Sequence, residues 1–303
     1  MRKLDADGLK DHGRINTAIQ SAFLQLDREI LLDALEALDG ERPPAEAMCR
    51  IAPASSGSCA TLVLLDPDRK VLHVACVGDS RAVLGRKTHT NDWTAIALST
   101  DQTGFNQDEI SRINADHPGE TPIDLESGRV LNCAVTRSFG DNRWKWPLDK
   151  LEKWTNDKFG RSSLPNYLTP PYLTALPVVT NTSMKPGDVI ILASDGFWNH
   201  MASNEDAVYC ASLWIDAESG NGKSRPVTGV DQDTGVEGGG PWPYNWIVQR
   251  QHFVADGENN LATHLIKNAF GGCQRELLRS VLSTQAPDSK EARDDATVVA
   301  IRF

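Results

Sequence analysis

Residues 59–84 read CATLVLLDPDRKVLHVACVGDSRAVL. The apolar run Cys59–Leu65 ends at Asp66-Pro67-Asp68, a turn signal. Val71–Val77 follows, then Gly78-Asp79, then Arg81–Leu84. Short β-branched and apolar runs punctuated by Asp, Pro and Gly predict consecutive antiparallel strands joined by tight turns. Trp93–Leu98 extends the set, Val189–Ala193 is a fully apolar strand, and Ala296–Phe303 is a terminal one. Gly78-Asp79-Ser80-Arg81 reads as a hairpin corner.

Helical periodicity lies outward from this block. Ile15, Ile19, Ala22, Phe23, Leu26, Ile30 and Leu31 recur at helical spacing with Asp27, Arg28 and Asp33 between them, and Asp39-Gly40 stops the run. Asn106–Ala115, Leu261–Phe270 and Gln274–Leu282 are further helices. Ser203-Asn204-Glu205-Asp206 has capping-box spacing and opens a helix toward Trp214. Two stretches read as irregular: the Pro/Ala/Ser-rich Arg42–Gly57 and the segment Asp141–Pro171. Ser219–Gly240, rich in Gly, Ser and Asp, reads as a flexible insertion within a single domain spanning 1–303. Antiparallel strands with helices before and after them predict an α+β class rather than a doubly wound parallel sheet.

Composition excludes several functions. The 303 residues carry a net charge of -10, and no basic stripe is present, which argues against nucleic acid as a partner. No apolar run reaches the roughly 18 residues of a membrane span. The N-terminus has neither a signal core nor a transit-peptide pattern. None of Cys49, Cys59, Cys76, Cys133, Cys210 and Cys273 forms a CxxC pair, so buried free thiols in a reducing compartment are expected. No HExxH, GxSxG or Walker loop occurs. His73 is expected in the core or at a packed edge, and the remaining histidines at the surface or helix ends.

Two carboxylates stand out by position. Asp195 follows an apolar strand and precedes a glycine. Asp294, in Arg293-Asp294-Asp295, lies just ahead of the final strand. Strand-end carboxylates are held rigidly by the sheet, and hard dications such as magnesium or manganese take such oxygens while keeping several waters. On spacing alone a solvated turn is the commoner use of either segment. Asp101, in Ser99-Thr100-Asp101-Gln102, reads as a cap or turn residue by the same standard. Asp79 reads as a turn residue with Arg81 as its pairing partner. Arg137 suits phosphate oxygens, but an internal ion pair is the expected use.

Taken in order, several segments resemble the PPM-type (type 2C) metal-dependent protein phosphatases. They are Gly57–Thr61, Val74–Leu84, Ser99–Gln102, Ala134–Asp141 with its Arg-x-Phe-Gly-Asp pattern, Ile191–Trp198 with Ser-Asp-Gly, and Arg293–Val299. Asn106–Glu120, Tyr167–Ala175 and Ala262–Ala269 are similar to the pyruvate dehydrogenase phosphatase branch. The resemblance implies an antiparallel β-sandwich flanked by helices and a binuclear Mg2+ or Mn2+ site. It implies that Asp195 and Asp294 bind the first metal, with Asp101 and Asp195 at a third, weaker one. It implies attack by a metal-bound water on a phosphoserine or phosphothreonine of a protein substrate, such as pyruvate dehydrogenase. It implies a place in the mitochondrial matrix, the cytoplasm being the alternative, and no catalytic residue beyond the metal ligands is expected among the matching segments of this chain.

The family pattern also includes an upstream Asp-Gly-His-x-Gly segment whose Asp bridges both metals. Asp5-Ala6-Asp7-Gly8 lacks the following His-x-Gly and is not taken as a substitute. The fold is therefore expected to be N-terminally incomplete. Two adjacent dications without a bridging carboxylate repel, so weak metal binding and little turnover are expected of the chain as written. The rival expectation is a pseudophosphatase that binds phosphoproteins without hydrolysing them.

Overall fold

In the computed structural model the described residues are 6–157, 160–220, 246–255 and 260–303. In chain order they form α1 (Ala6–Asp39), α2 (Pro44–Ser56), β1 (Ala60–Asp66), β2 (Val71–Val77), β3 (Arg81–Lys87), β4 (Trp93–Ala97), α3 (Gln107–Asp116), β5 (Ile123–Asp124), β6 (Arg129–Val130) and α4 (Leu148–Asn156). Then come β7 (Val178–Ser183), β8 (Val189–Ala193), α5 (Asp195–Trp198), α6 (Asn204–Glu218), α7 (Leu261–Ala269), α8 (Arg275–Ser283), α9 (Ser289–Ala292) and β9 (Val298–Arg302). The pairs β1–β2, β3–β4, β3–β8, β5–β6 and β8–β9 are antiparallel. The expected α+β class of helices and antiparallel sheet is what forms.

The chain divides into two compact units. The first comprises Met1–Ser80 and Ser99–Thr182 and holds a sheet in the order β1-β2-β7. Its apolar core gathers Ala34 and Leu38 of α1, Ile51 of α2, Ile113 of α3, and Leu151 and Trp154 of α4. The second comprises Arg81–Leu98 and Ser183–Phe303, with a sheet in the order β4-β3-β8-β9. Its core joins Ile191 of β8 to Phe197, Val208 of α6, and Leu265 and Phe270 at α7.

The corner at Gly78-Asp79 is not a hairpin. All but the first residue of β2 are buried, and β2 has β1 on one side and β7 on the other. β3 is likewise central, between β4 and β8. Each strand already has two hydrogen-bonded neighbours, so they cannot pair with each other. Gly78 carries the chain out of β2 at φ 102°, a backbone region that glycine enters without a Cβ penalty.

Two further expectations change. The stretch 42–57 contains α2 rather than a loop. Pro44 begins it, where the fixed φ suits the first turn and no N–H is needed, and Ala47, Ile51 and Ala54 form its buried stripe. The stretch 141–171 contains α4, entered from Pro147 and seated through Leu151 and Trp154. His73 is in the core as expected. His117, expected at the surface or a helix end, caps the end of α3 and is buried there, while His200 and His264, expected likewise, are buried in the second unit.

The caps follow the sequence closely. Asn106 accepts from the Asp108 amide at the start of α3, and Ser203 accepts from the Asp206 amide at α6. The six cysteines are free thiols. No helix among the described residues is long and apolar enough to cross a membrane. From Asn221 onward, the expected insertion 219–240 lies outside the described residues.

Candidate metal centre

Asp195 and Asp294 are brought to one end of the second unit's sheet by the antiparallel pairing of β8 and β9. Ala193 stands opposite Val298, and three bonds beyond that register tie the strand ends together. The Ser194 amide donates to Thr297 O at 3.1 Å, the Thr297 amide to Ser194 Oγ at 3.0 Å, and Ser194 Oγ to Asp295 O at 2.9 Å. Trp198 holds the turn from within, its Nε1 donating to Ala193 O at 3.0 Å, while Phe197 is fully buried beside it.

Gly196 fixes how close the two segments come. A Cβ there would meet Asp295 O at 2.6 Å and the Asp294 carbonyl carbon at 3.1 Å, so only glycine lets the Asp195 turn nest against the Asp294–Asp295 backbone. Each carboxylate is oriented by the next amide. Asp195 Oδ1 accepts from the Gly196 N–H at 2.9 Å and Asp294 Oδ1 from the Asp295 N–H at 2.8 Å. The charge of Asp294 also reaches His200. Burial pushes His200 below the ordinary imidazole range, while a bond to Trp246 O and the Asp294 carboxylate act the other way. Its ring stacks on Trp246 with centroids 4.0 Å apart.

Asp101 belongs to the first unit. Its loop is pinned by buried Gln102, whose Nε2 donates to Cys76 O at 3.0 Å and whose Oε1 accepts from the Gly78 amide at 2.7 Å. Asn106 Nδ2 donates to Asp101 O at 3.0 Å. Asp79 stands at the same strand end, where its Oδ1 accepts from Cys59 Sγ at 3.4 Å. Burial raises the Cys76 thiol pKa, and the charges of Asp101 and Asp79 add to that rise. Among the described residues no group of three or more His, Cys, Asp or Glu is gathered around a metal position. What the structure does bring together is backbone: the Gly196 cradle sets the Asp195 turn against the Asp294–Asp295 segment.

Arg137 is engaged inside the first unit, as an internal ion pair predicts. Its Nε donates to Glu109 at 3.0 Å and its Nη1 to Leu176 O at 2.6 Å. Arg81 donates to Asn204 Oδ1 at 3.0 Å and lies over the Trp198 ring. The sequence reading missed Asp27, which accepts from the Gly140 amide at 2.7 Å and from Lys145 Nζ at 2.9 Å. Asp27 is more than a hundred residues from Gly140 and Lys145, and no local pattern marks it. Asp141, the last residue of the Arg-x-Phe-Gly-Asp pattern, is partly exposed; its carboxyl pKa is raised chiefly by desolvation, and a Cβ at Gly57 would strike it.

Comparison with known proteins identifies the family. The family model for protein phosphatase 2C matches residues 7–225, and the chain belongs to that family. A protein phosphatase 2C homolog of Schizosaccharomyces pombe is 36% identical over 294 residues, 95% of this chain and 62% of its own length. The mitochondrial pyruvate dehydrogenase phosphatase 1 of Saccharomyces cerevisiae is 32% identical over 313 residues, 95% of this chain and 53% of its own. The human mitochondrial phosphatase 2 of the same enzyme is 30% identical over 309 residues, 95% of this chain and 55% of its own. The chain thus spans between about half and 62% of the length of these relatives.

Proposed function

We propose that the protein is a metal-dependent serine/threonine phosphatase acting on a phosphoprotein, with Asp195 and Asp294 as ligands of Mg2+ or Mn2+ and Asp101 as a ligand of a further, weaker ion. The observation that carries the reading is the Gly196 cradle, which sets the Asp195 turn directly against the Asp294–Asp295 backbone. A dication held there would supply Lewis acidity toward water and the phosphoryl oxygens. The chain's own part is to orient the two carboxylates through the Gly196 and Asp295 amides and to lock the strand ends through Ser194 and Thr297. Arg137 supports the first unit rather than the phosphate.

The substrate reading follows the relatives. Two of the three described above are named for dephosphorylating pyruvate dehydrogenase in mitochondria, which favours a mitochondrial phosphoprotein of that kind. The third is a protein phosphatase 2C homolog without a stated substrate. The test is manganese-dependent hydrolysis of a phosphothreonine peptide and of phosphorylated pyruvate dehydrogenase by the natural full-length protein, beside Asp195→Asn and Asp294→Asn. Hydrolysis lost in both variants, with unchanged metal-free Tm, supports the reading. A folded wild type that binds the phosphoprotein without hydrolysing it would make the protein a pseudophosphatase. Fractionation of the source cells decides the mitochondrial placement.

A further inference from the structure

His73 on β2 has no exposed surface. Burial lowers its pKa and the His12 charge adds to that, with Asn181 and Asp66 acting the other way. Its Nδ1 lies 3.0 Å from Asn16 Oδ1. An amide oxygen only accepts, so Nδ1 carries the proton and Nε2 presents a lone pair. That Nε2 is buried with no hydrogen-bond partner, and so is Nδ1 of His12. His12 precedes Asn16 by one turn on the same face of α1. The two rings stand with centroids 5.4 Å apart and planes inclined by 48°. Asn181 of β7 approaches the His73 ring without bonding its Nε2.

Two unpaired, buried ring nitrogens side by side call for an explanation. Two imidazoles sharing one tetrahedral ion, each at about 2.0–2.1 Å, have centroids roughly 5 Å apart, which the pair already meets. A ligating histidine donates its other N–H to an acceptor that fixes tautomer and orientation, and Asn16 does this for His73. Imidazole nitrogens suit zinc, cobalt, nickel or copper, whereas magnesium and manganese favour oxygen.

We propose that His12 Nδ1 and His73 Nε2 form a second metal site, for a zinc-class divalent ion, pinning the N-terminal half of α1 to the central strand β2. Water completes the coordination, and the Asn181 side chain stands beside the site. The site shares no residue with Asp195 and Asp294 and differs from them in the kind of metal it takes.

The experiment removes the carboxylate pair first, with Asp195→Asn and Asp294→Asn in the same chain. Co2+ added to that chain is expected to bind at one equivalent, to give the visible absorption of an imidazole-ligated tetrahedral ion, and to raise Tm. Mg2+ at the same concentration is expected to do neither, and Zn2+ to displace the Co2+. His12→Ala leaves the His73–Asn16 bond in place and should abolish the absorption with little change in metal-free Tm. Asn16→Ala, which frees the His73 ring to turn, should weaken Co2+ binding by roughly 10–100-fold. A folded chain that shows no Co2+ absorption, or a band that survives His12→Ala, overturns the site and leaves a bridging water as the partner of the two nitrogens.

Discussion

Gly196 has no side chain, and the candidate centre depends on that. Replacing it with alanine puts a Cβ 2.6 Å from Asp295 O, a backbone atom that cannot swing aside. Overpacking of this kind costs about 1–3 kcal/mol, and the relief available is to part the Asp195 turn from the Asp294 segment. Gly196→Ala is therefore expected to lower Tm and to diminish the further rise in Tm that Mn2+ produces, as read by thermal titration. An unchanged Mn2+ response in the folded variant would show that the two carboxylates do not share an ion. Arg137 makes the opposite case. Its fork is spent on Glu109 and Leu176 O, and lysine offers no matching geometry. Arg137→Lys is expected to lower stability while leaving the KM for a phosphopeptide within about twofold, since each tenfold change in affinity is worth about 1.4 kcal/mol. A large rise in KM with unchanged Tm would return Arg137 to the phosphate. The strand-end places of Asp195 and Asp294 were legible, but spacing alone favoured a solvated turn at each, and only the family resemblance singled them out as metal ligands. Gly196 stood beside Asp195 in the sequence, but its role depends on Asp295, nearly a hundred residues later.

At the scale of elements, helix α3 and the Thr136–Arg137 segment are joined by one carboxylate. Glu109 is 2% exposed and accepts from Arg137, Arg112 and Thr136. Burial pushes its pKa up, but those bonds outweigh it and bring the carboxyl from 4.5 down to about 2. The folded value lies below the unfolded one, so the carboxylate's contribution is full above pH 4.5 and is lost as pH falls toward 2. Glu109→Gln leaves Arg137 buried without its counter-charge and is expected to cost about 3–5 kcal/mol at neutral pH. In urea titrations the gap between wild type and variant should narrow as pH drops through that window. A gap independent of pH would mean that the charge of Glu109 is not what holds Arg137. The strands β1, β2, β3 and β8 were readable because their apolar runs end in Asp, Pro or Gly. Helices α2 and α4 were not, because α2 lies in a Pro/Ala/Ser-rich stretch and α4 is a short helix inside a segment with no clear period, each entered from a proline. The pairing of β2 was misread for a related reason. A tight turn after a strand is local, whereas its true neighbour β7 lies about a hundred residues on and has the mixed sequence Val-Val-Thr-Asn-Thr-Ser.

For the whole molecule, the α+β class was legible, but the division into two units was not. The chain passes between the units after Ser80, after Leu98 and after Thr182, so each is assembled from segments distant in sequence, and no composition shift marks the crossings. Each unit has its own apolar core, and this has an energetic consequence. Leu265 in the second core and Leu151 in the first are both fully buried. Truncating either to alanine removes transfer free energy and leaves a cavity, at about 2–5 kcal/mol. Sub-global openings follow contiguous packed groups, so the loss should be felt first where the cavity lies. In native-state hydrogen exchange, Leu265→Ala is expected to speed exchange in β8, α6 and α7. The amides of α2, α4 and the last turns of α1 should stay near wild type. Leu151→Ala should do the reverse. Equal acceleration in both cores by either variant would show that they open as one cooperative body. Separate responses would mean that the carboxylate pair at the end of β8 can be loosened without opening the buried Glu109–Arg137 network.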